Sequence, residues 1–423
     1  MNILVASPYL PWPLDAGGKV AQYSALACLR TDHRFTLVCP VYTEKGLSDA
    51  AELQIHLPEI KVRAVRCGSL ERLSPPREDI LLRSLRWGAR QYRRLRSTTP
   101  RVASDEKERP VLAYPFGPLP EAYVAAVADE LAQGIDLVQA EFAEMLSLGA
   151  WLPPDIPKVF IHHQLHFVYA KRFSTARRPG RYCEYLEMVM RIQEETYLHK
   201  FDGVVVFSDE DKRALSGWLE DEKVHVSPFP ISSGSTTCDE FFEGRFSFVG
   251  SEEHFPNRDG LEWLTREVWP EISKQIPGAI LKVIGPWGEA SRTHYSKPGV
   301  EFTGYVADLE RSIKGSVMLV PLRIGSGIRV KLLDALAQGI PAVSTSIGCE
   351  GIPVADGNEI LIRDDAAKFT AAAVELSNNP ELRARLAGAG KHLMARFYSP
   401  EQVRKRRNEI YQNVCRVNSE CAL

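Results

Sequence analysis

Residues 316–345 read SVMLVPLRIGSGIRVKLLDALAQGIPAVST, and this stretch decides the fold. Ser316–Val320 is a short apolar run of strand type, and a second run follows at Pro341–Ser344. Between them Gly325-Ser326-Gly327 makes a loop, and from Val330 to Gln338 the apolar positions recur at helical spacing. Strand, glycine loop, helix and strand in that order form a βαβ crossover, the unit of a parallel sheet.

The same rhythm extends in both directions. The second half restarts at Arg245–Gly250 and continues with strands at Ala279–Ile284, Val300–Phe302 and Glu359–Ile362. Helical patterns cover Asp259–Lys274 and Ala366–Leu376. The first half carries strand runs at Asn2–Ala6, Arg34–Cys39, Lys61–Arg66, Asp136–Ala140, Lys158–Ile161 and Gly203–Phe207. Helices are expected over Val20–Arg30 and over Tyr182–Lys200, the latter with Tyr185, Met188, Ile192 and Glu195 at helical spacing. Residues 227–238, SPFPISSGSTTC, have a hinge composition. The expected architecture is α/β, with two doubly wound Rossmann-like domains facing across a cleft. The domains span 1–230 and 231–400, and a final segment, 401–423, follows them. In such folds ligands sit at the carboxyl ends of the strands.

Residues 68–120 break the rhythm. Between Ile80 and Arg101 there are seven arginines and no acid. Leu82, Leu85, Ala89, Tyr92 and Leu95 step along one helical face beside Arg83, Arg86, Arg90 and Arg93. Two readings stand: a solvated surface helix, or docking on an anionic membrane surface through residues 80–101. No aromatic stacking platform accompanies the arginines, so nucleic acid is not an expected partner.

The glycine loop has its own chemistry. Gly325 and Gly327 permit close backbone approach, so several N–H groups can converge on an anion where the helix begins. Arg323, Arg329 and Lys331 add cations, and Asp334 lies one turn into the helix, where a carboxylate can accept from a vicinal diol. A nucleoside diphosphate fits this set. A plain glycine turn with an i,i+3 Lys331–Asp334 pair fits it too.

This segment, with Gly339-Ile-Pro-Ala-Val-Ser-Thr-Ser-Ile-Gly-Cys-Glu-Gly351 after it, resembles the sugar-donor signature of retaining GT-B glycosyltransferases of the family-4 type. FVGSEEHFPNRDGLEWLTREVWP, 248–270, resembles the opening of that branch's second domain. YSPEQVRKRRNEIYQNV, 398–414, resembles the helix that crosses back to its first domain. The resemblance implies that Arg323 and Lys331 bind the sugar nucleotide's diphosphate, aided by the amides of Gly325, Ser326 and Gly327. It puts Asp334 on the ribose. Ser326 stands where many members have an acid, and Glu350, beside Gly351, is the substitute contact to sugar or phosphate. Ser251 and Arg258 or Asp259 occupy the places of another basic pair of the family.

In the first domain, Asp15-Ala-Gly17-Gly18-Lys19 resembles the loop facing the phosphates, and the strand ending at His162-His163 resembles the family's cleft histidine strand. His163 is the implied catalytic contact. His162 and Glu141 are implied on the acceptor side. The implied reaction moves a sugar, with retention, from a nucleotide-diphosphate sugar (UDP preferred) to a hydroxyl of a glycan, glycolipid or lipid-linked acceptor. No Asp-x-Asp motif was expected in a loop near the site, so neither a metal nor a cofactor is implied. Two other readings remain open: an epimerase or hydrolase of nucleotide sugars, and a non-catalytic binding relative.

Composition agrees with a globular chain. Of 423 residues, 44% are hydrophobic and 25% charged, and the net charge of −2 excludes general polyanion binding. Eight scattered cysteines without a C-x-x-C pair read as reduced thiols. No apolar run reaches membrane-spanning length, and no secretory leader pattern opens the sequence. A cytoplasmic protein, with possible membrane association through the basic segment, is the expectation.

Overall fold

The computed structural model describes residues 1–68, 115–176, 181–231, 241–306 and 308–421. The arginine-rich segment 80–101 and most of the hinge stretch 227–238 lie outside the described residues.

Two all-parallel sheets organise the chain. The first contains β1 (Asn2–Ala6), β2 (Arg34–Val41), β3 (Lys61–Arg66), β4 (Leu137–Glu141), β5 (Lys158–Ile161), β6 (Gly203–Val206) and β7 (Val224–Val226). Its order is β3-β2-β1-β4-β5-β6-β7. The second contains β8 (Arg245–Val249), β9 (Ile280–Ile284), β10 (Val300–Gly304), β11 (Val317–Val320), β12 (Ala342–Ser344) and β13 (Leu361–Ile362). Its order is β10-β9-β8-β11-β12-β13. Strands such as Ile3–Ala6 and Val317–Val320 are fully buried, because helices cover both sheet faces. That is why they read as unbroken apolar runs rather than alternating ones.

Each order reverses direction once, between β1 and β4 and between β8 and β11. Loops leaving neighbouring strands diverge there and open a crevice at the carboxyl ends. The Gly325–Gly327 loop leaves β11, so it borders the crevice of the second sheet. Glu141 ends β4 and borders that of the first.

Six helices carry the rest of the argument: α1 (Gly17–Leu29), α2 (His166–Ala176), α3 (Arg181–Leu198), α4 (Phe255–Trp263), α5 (Val330–Ala337) and α6 (Pro400–Cys421). Helix α6 lies along the first domain. Its Arg404 and Asn408 bond Asp32 at 2.7 and 2.6 Å, and Val414 packs where a side chain at Gly203 would stand.

Three sequence expectations need correction. In α3 the buried face is Leu186, Met190, Glu194 and Leu198, whereas Tyr185, Met188 and Ile192 are more than half exposed. Both sets fit a helical period, and packing chose the one on the nearly opposite face. The expected helix Asp259–Lys274 is instead α4, a π-turn at Leu264–Val268 and a further helix, Trp269–Gln275. Strand β7 was not expected, since three residues carry too little pattern.

Candidate functional site

The Gly325–Gly327 loop is built around a buried cation. Arg329 caps α5 and donates from Nη1 to the carbonyls of Ser326 and Gly327, both at 2.5 Å. Its guanidinium is buried, and burial pushes its pKa down to about 10. Arg329 was expected among the ligand contacts. The geometry makes it the brace that shapes the loop.

Lys331, in the first turn of α5, donates from Nζ to Asn257 Oδ1 at 2.8 Å and lies over the Phe248 ring. Asn257, from α4, is itself held by the Ser251 carbonyl at 3.0 Å. Burial, reinforced by the neighbouring Arg329 charge, pushes the Lys331 ammonium down to about 7. Burial alone pushes the Asp334 carboxyl up to about 7. A desolvated cation and a desolvated acid one turn apart are suited to an ionic ligand that replaces the lost water.

The first domain meets this helix end directly. A Cβ on Gly17 would lie 3.0 Å from the Val330 side chain, so the starts of α1 and α5 touch across the cleft. Both helix starts bring backbone N–H groups and positive dipole ends to the same place. Gly327 has φ +77°, and a Cβ there would stand 3.1 Å from the His163 carbonyl. Ser326 Oγ donates to the Leu165 carbonyl at 3.4 Å. The second domain's loop therefore rests on the segment following β5.

His163 heads that segment. Its Nε2 lies 2.8 Å from Glu141 Oε2, and its ring stacks on Phe142 at 3.9 Å with an interplanar angle of 12°. Phe142 has φ +67°, a costly conformation for an aromatic residue, held here by the stacked imidazole and Tyr9. The same ring occupies the space beside Gly18, where a Cβ would approach it to 2.8 Å. His163 Nδ1 is buried without a hydrogen-bond partner and lies beside Gly18.

The other expected residues are placed differently. His162 is turned into the first domain, 3.4 Å from Glu194 Oε1, and is 3% exposed, so it is a core group and not an acceptor contact. Arg323 makes a two-point bond to Asp259 at 2.8 and 3.0 Å and is partly exposed. Glu350 is clasped by Arg172 of α2, at 2.5 and 2.6 Å, and Arg172 also donates to the Gly325 carbonyl at 2.6 Å. Gly351 abuts Ser208, where a Cβ would approach to 3.1 Å.

Sequence reading missed Arg172, Asn257 and Phe142. Asn257 stands in the quoted FPNRDG run and could have been found there; Arg172 and Phe142 carry no spacing signal. An Asp-x-Asp does occur near the site, at Asp209-Glu210-Asp211. It opens the helix Asp209–Leu215, and Asp211 faces the capping Ser208 hydroxyl at 2.8 Å. Among the described residues no three His, Cys, Asp or Glu side chains come together to hold a metal. A cavity of about 390 Å³ lies at the carboxyl ends of β8 to β10, lined by Glu252, Trp287, Gly304 and Tyr305 among others.

Two parallel-sheet domains facing across such a cleft define the GT-B architecture, the class to which the fold belongs. Residues 243–379 match the family model described as "Glycosyl transferases group 1", which supports a group 1 glycosyltransferase. A curated relative, an uncharacterized 44.6 kDa protein in the cps region of Klebsiella pneumoniae, is 23% identical over 211 residues. That match covers 47% of this chain and spans about half of the relative's length, 53%. Anabaena HepE in complex with UDP superposes with a TM-score of 0.64 at 12% identity, covering 98% of this chain and 100% of that one. Sucrose-phosphate synthase from Thermosynechococcus elongatus gives 0.66 at 15% identity, with 98% and 99% covered. A variant of S. aureus TarM, in complex with UDP and α-GlcNAc-glycerol, gives 0.66 at 11% identity, with 97% and 100% covered. Among the described residues no helix is long and apolar enough to cross a membrane.

Proposed function

We propose that the protein transfers a sugar, with retention, from a UDP-sugar to a hydroxyl of a glycan or lipid-linked acceptor in polysaccharide assembly. One observation carries this reading. The contact of Gly17 with Val330 brings two helix starts together, with Gly18 beside the His163 ring, Gly327 against the His163 carbonyl and Lys331 in the first turn of α5. That is a cradle for a diphosphate with a polar wall for the sugar.

Lys331 and the loop amides stabilise the departing diphosphate, whose charge grows as the glycosidic bond breaks. Asp334 accepts from the ribose hydroxyls. His163, oriented by Glu141, contacts the sugar and holds it against the acceptor. Leaving-group stabilisation then rests on the chain's own cations, and turnover survives chelation by EDTA. UDP in the HepE and TarM complexes and the cps setting of the curated relative support the choice of UDP and of a glycan product. Residues 80–101 would add contact with an anionic membrane carrying the acceptor; flotation with anionic but not neutral liposomes checks this.

The deciding experiment is a thermal-shift titration with UDP, GDP, dTDP, CMP and their sugars. At about 100 times the dissociation constant a ligand stabilises its fold by ~2.7 kcal/mol, a shift of a few degrees. A response confined to UDP compounds supports the reading. Silence toward every nucleotide overturns it.

A further inference from the structure

The imidazole of His163 is the end of a buried chain of hydrogen bonds that starts on α6. Arg407 donates to the Ser227 hydroxyl and carbonyl at 3.4 and 3.3 Å, and Tyr411, four residues on along the helix, bonds Gln139 Oε1 through its hydroxyl. Gln139 Nε2 donates to Glu141 Oε1 at 2.6 Å, and Glu141 Oε2 faces His163 Nε2 at 2.8 Å. Arg407, Tyr411, Gln139 and Glu141 are each no more than 2% exposed, so water does not compete for these bonds.

The chain has a fixed direction. A carboxylate only accepts, so the direction is set at Glu141, and the phenol gives its own proton to Gln139. Gln139 must then present its carbonyl to Tyr411 and its NH2 to Glu141. The Glu141 carboxylate only accepts, so it draws the proton of His163 onto Nε2. Nδ1 is left as a bare acceptor, buried without a partner beside Gly18. Burial pushes the Tyr411 phenol up to about 12, which keeps it protonated at neutral pH. The other titratable groups facing the chain are Cys39, toward Glu141, and His33, whose ring lies 5.5 Å from that of Tyr411.

We propose that Glu141 sets the tautomer of His163 and that Gln139 and Tyr411 are positioning residues for its carboxylate, so that docking of α6 helps to hold the cleft imidazole with Nδ1 as an acceptor. The inference rests on the reading of His163 as a cleft contact and deepens it. With Nδ1 an acceptor, the group it meets on the substrate is a hydroxyl, not a phosphate oxygen.

Nitrogen-15 spectra of histidine-labelled full-length protein, free of nucleotide, read the tautomer directly. His163→Gln identifies the signal. In the wild type, Nε2 should resonate as a protonated nitrogen and Nδ1 as an unprotonated one. Glu141→Gln gives the sharper test. With Gln139 held by Tyr411, the new amide must turn its NH2 toward His163, and the proton moves to Nδ1. Adding Tyr411→Phe frees Gln139 to flip, and the Nε2–H form returns. If Glu141→Gln does not fold, Glu141→Leu replaces it; with no carboxylate on Nε2, both nitrogens should move toward the average of the two tautomers.

An Nδ1–H tautomer in the wild type overturns the proposal. So does a tautomer indifferent to Glu141→Gln and to Glu141→Leu. None of these spectra needs a substrate, so they can fail while nucleotide binding succeeds, and the converse also holds.

Discussion

Arg172 and Glu350 lie 178 residues apart and form the direct ionic clasp between the two domains, with both carboxylate oxygens engaged. The same guanidinium bonds the Gly325 carbonyl, so the clasp also reaches the Gly325–Gly327 loop. Hydrogen bonds to charged groups are worth roughly 1–3 kcal/mol each, enough to bias a two-state closure. Arg172→Ala is expected to raise the radius of gyration of the nucleotide-free protein in small-angle scattering, and UDP should reverse the change. Identical scattering curves for variant and wild type would show that the clasp does not hold the cleft shut.

Nucleotide affinity should depend on pH through Lys331. Its ammonium is pushed down to about 7, so above neutrality the free site holds mostly the neutral amine. A diphosphate favours the charged form, so binding takes up a proton in this range. UDP affinity should fall as pH rises above 7, approaching tenfold per pH unit for one linked proton. Calorimetry in buffers of different ionisation enthalpy measures the uptake. Lys331→Arg should remove the proton uptake due to Lys331 and leave only the dependence from Asp334, whose carboxyl is pushed up to about 7, and Lys331→Ala should weaken binding at pH 6 far more than at pH 9.

Gly327→Ala tests the loop. The residue sits at φ +77° with the His163 carbonyl 3.1 Å from where the Cβ would go. Left-handed backbone costs a non-glycine residue roughly 1–2 kcal/mol before any clash. UDP affinity should drop about tenfold or more, with the circular dichroism of the fold unchanged.

Glu194 governs acid stability. It accepts from the amides of His166 and Phe167, both at 2.8 Å, and so fastens the start of α2. Burial alone would raise its pKa, but His162 and His166 prevail and hold the carboxyl near 2. A folded-state pKa below the unfolded value of about 4.3 adds stability above that value, lost as pH falls toward 2. Glu194→Gln should cost roughly 1–3 kcal/mol at pH 7 and flatten the melting temperature between pH 5 and 3. An unchanged pH profile would remove Glu194 from this role.

The strands were legible because burial on both faces leaves runs such as Val317–Val320 with no polar residue to mistake. The glycine loop between β11 and α5 was legible because a tight turn of this kind has a local signature, and Gly325 and Gly327 both stand at positive φ. What a periodicity cannot give is its phase. Tyr185, Met188 and Ile192 satisfy a helical step as well as Leu186 and Met190 do, and only the packing of α3 chose between them. Adjacent His162 and His163 posed the same difficulty: consecutive residues point to opposite sides, and one became a core group. Arg172 was hidden for another reason, since its partner is distant in sequence and no local pattern announces a contact across a cleft.

Helix α6 supplies Tyr411 to the first domain although the whole second domain precedes it in the chain. During synthesis the ribosome therefore delivers residues 241–399, which can fold on their own sheet, before the piece that finishes the earlier one. A nascent chain would carry the second sheet and its Gly325–Gly327 loop while its first sheet still lacked α6. On the proposed function, transfer would wait for α6 to dock and complete the buried chain that ends at Glu141 and His163.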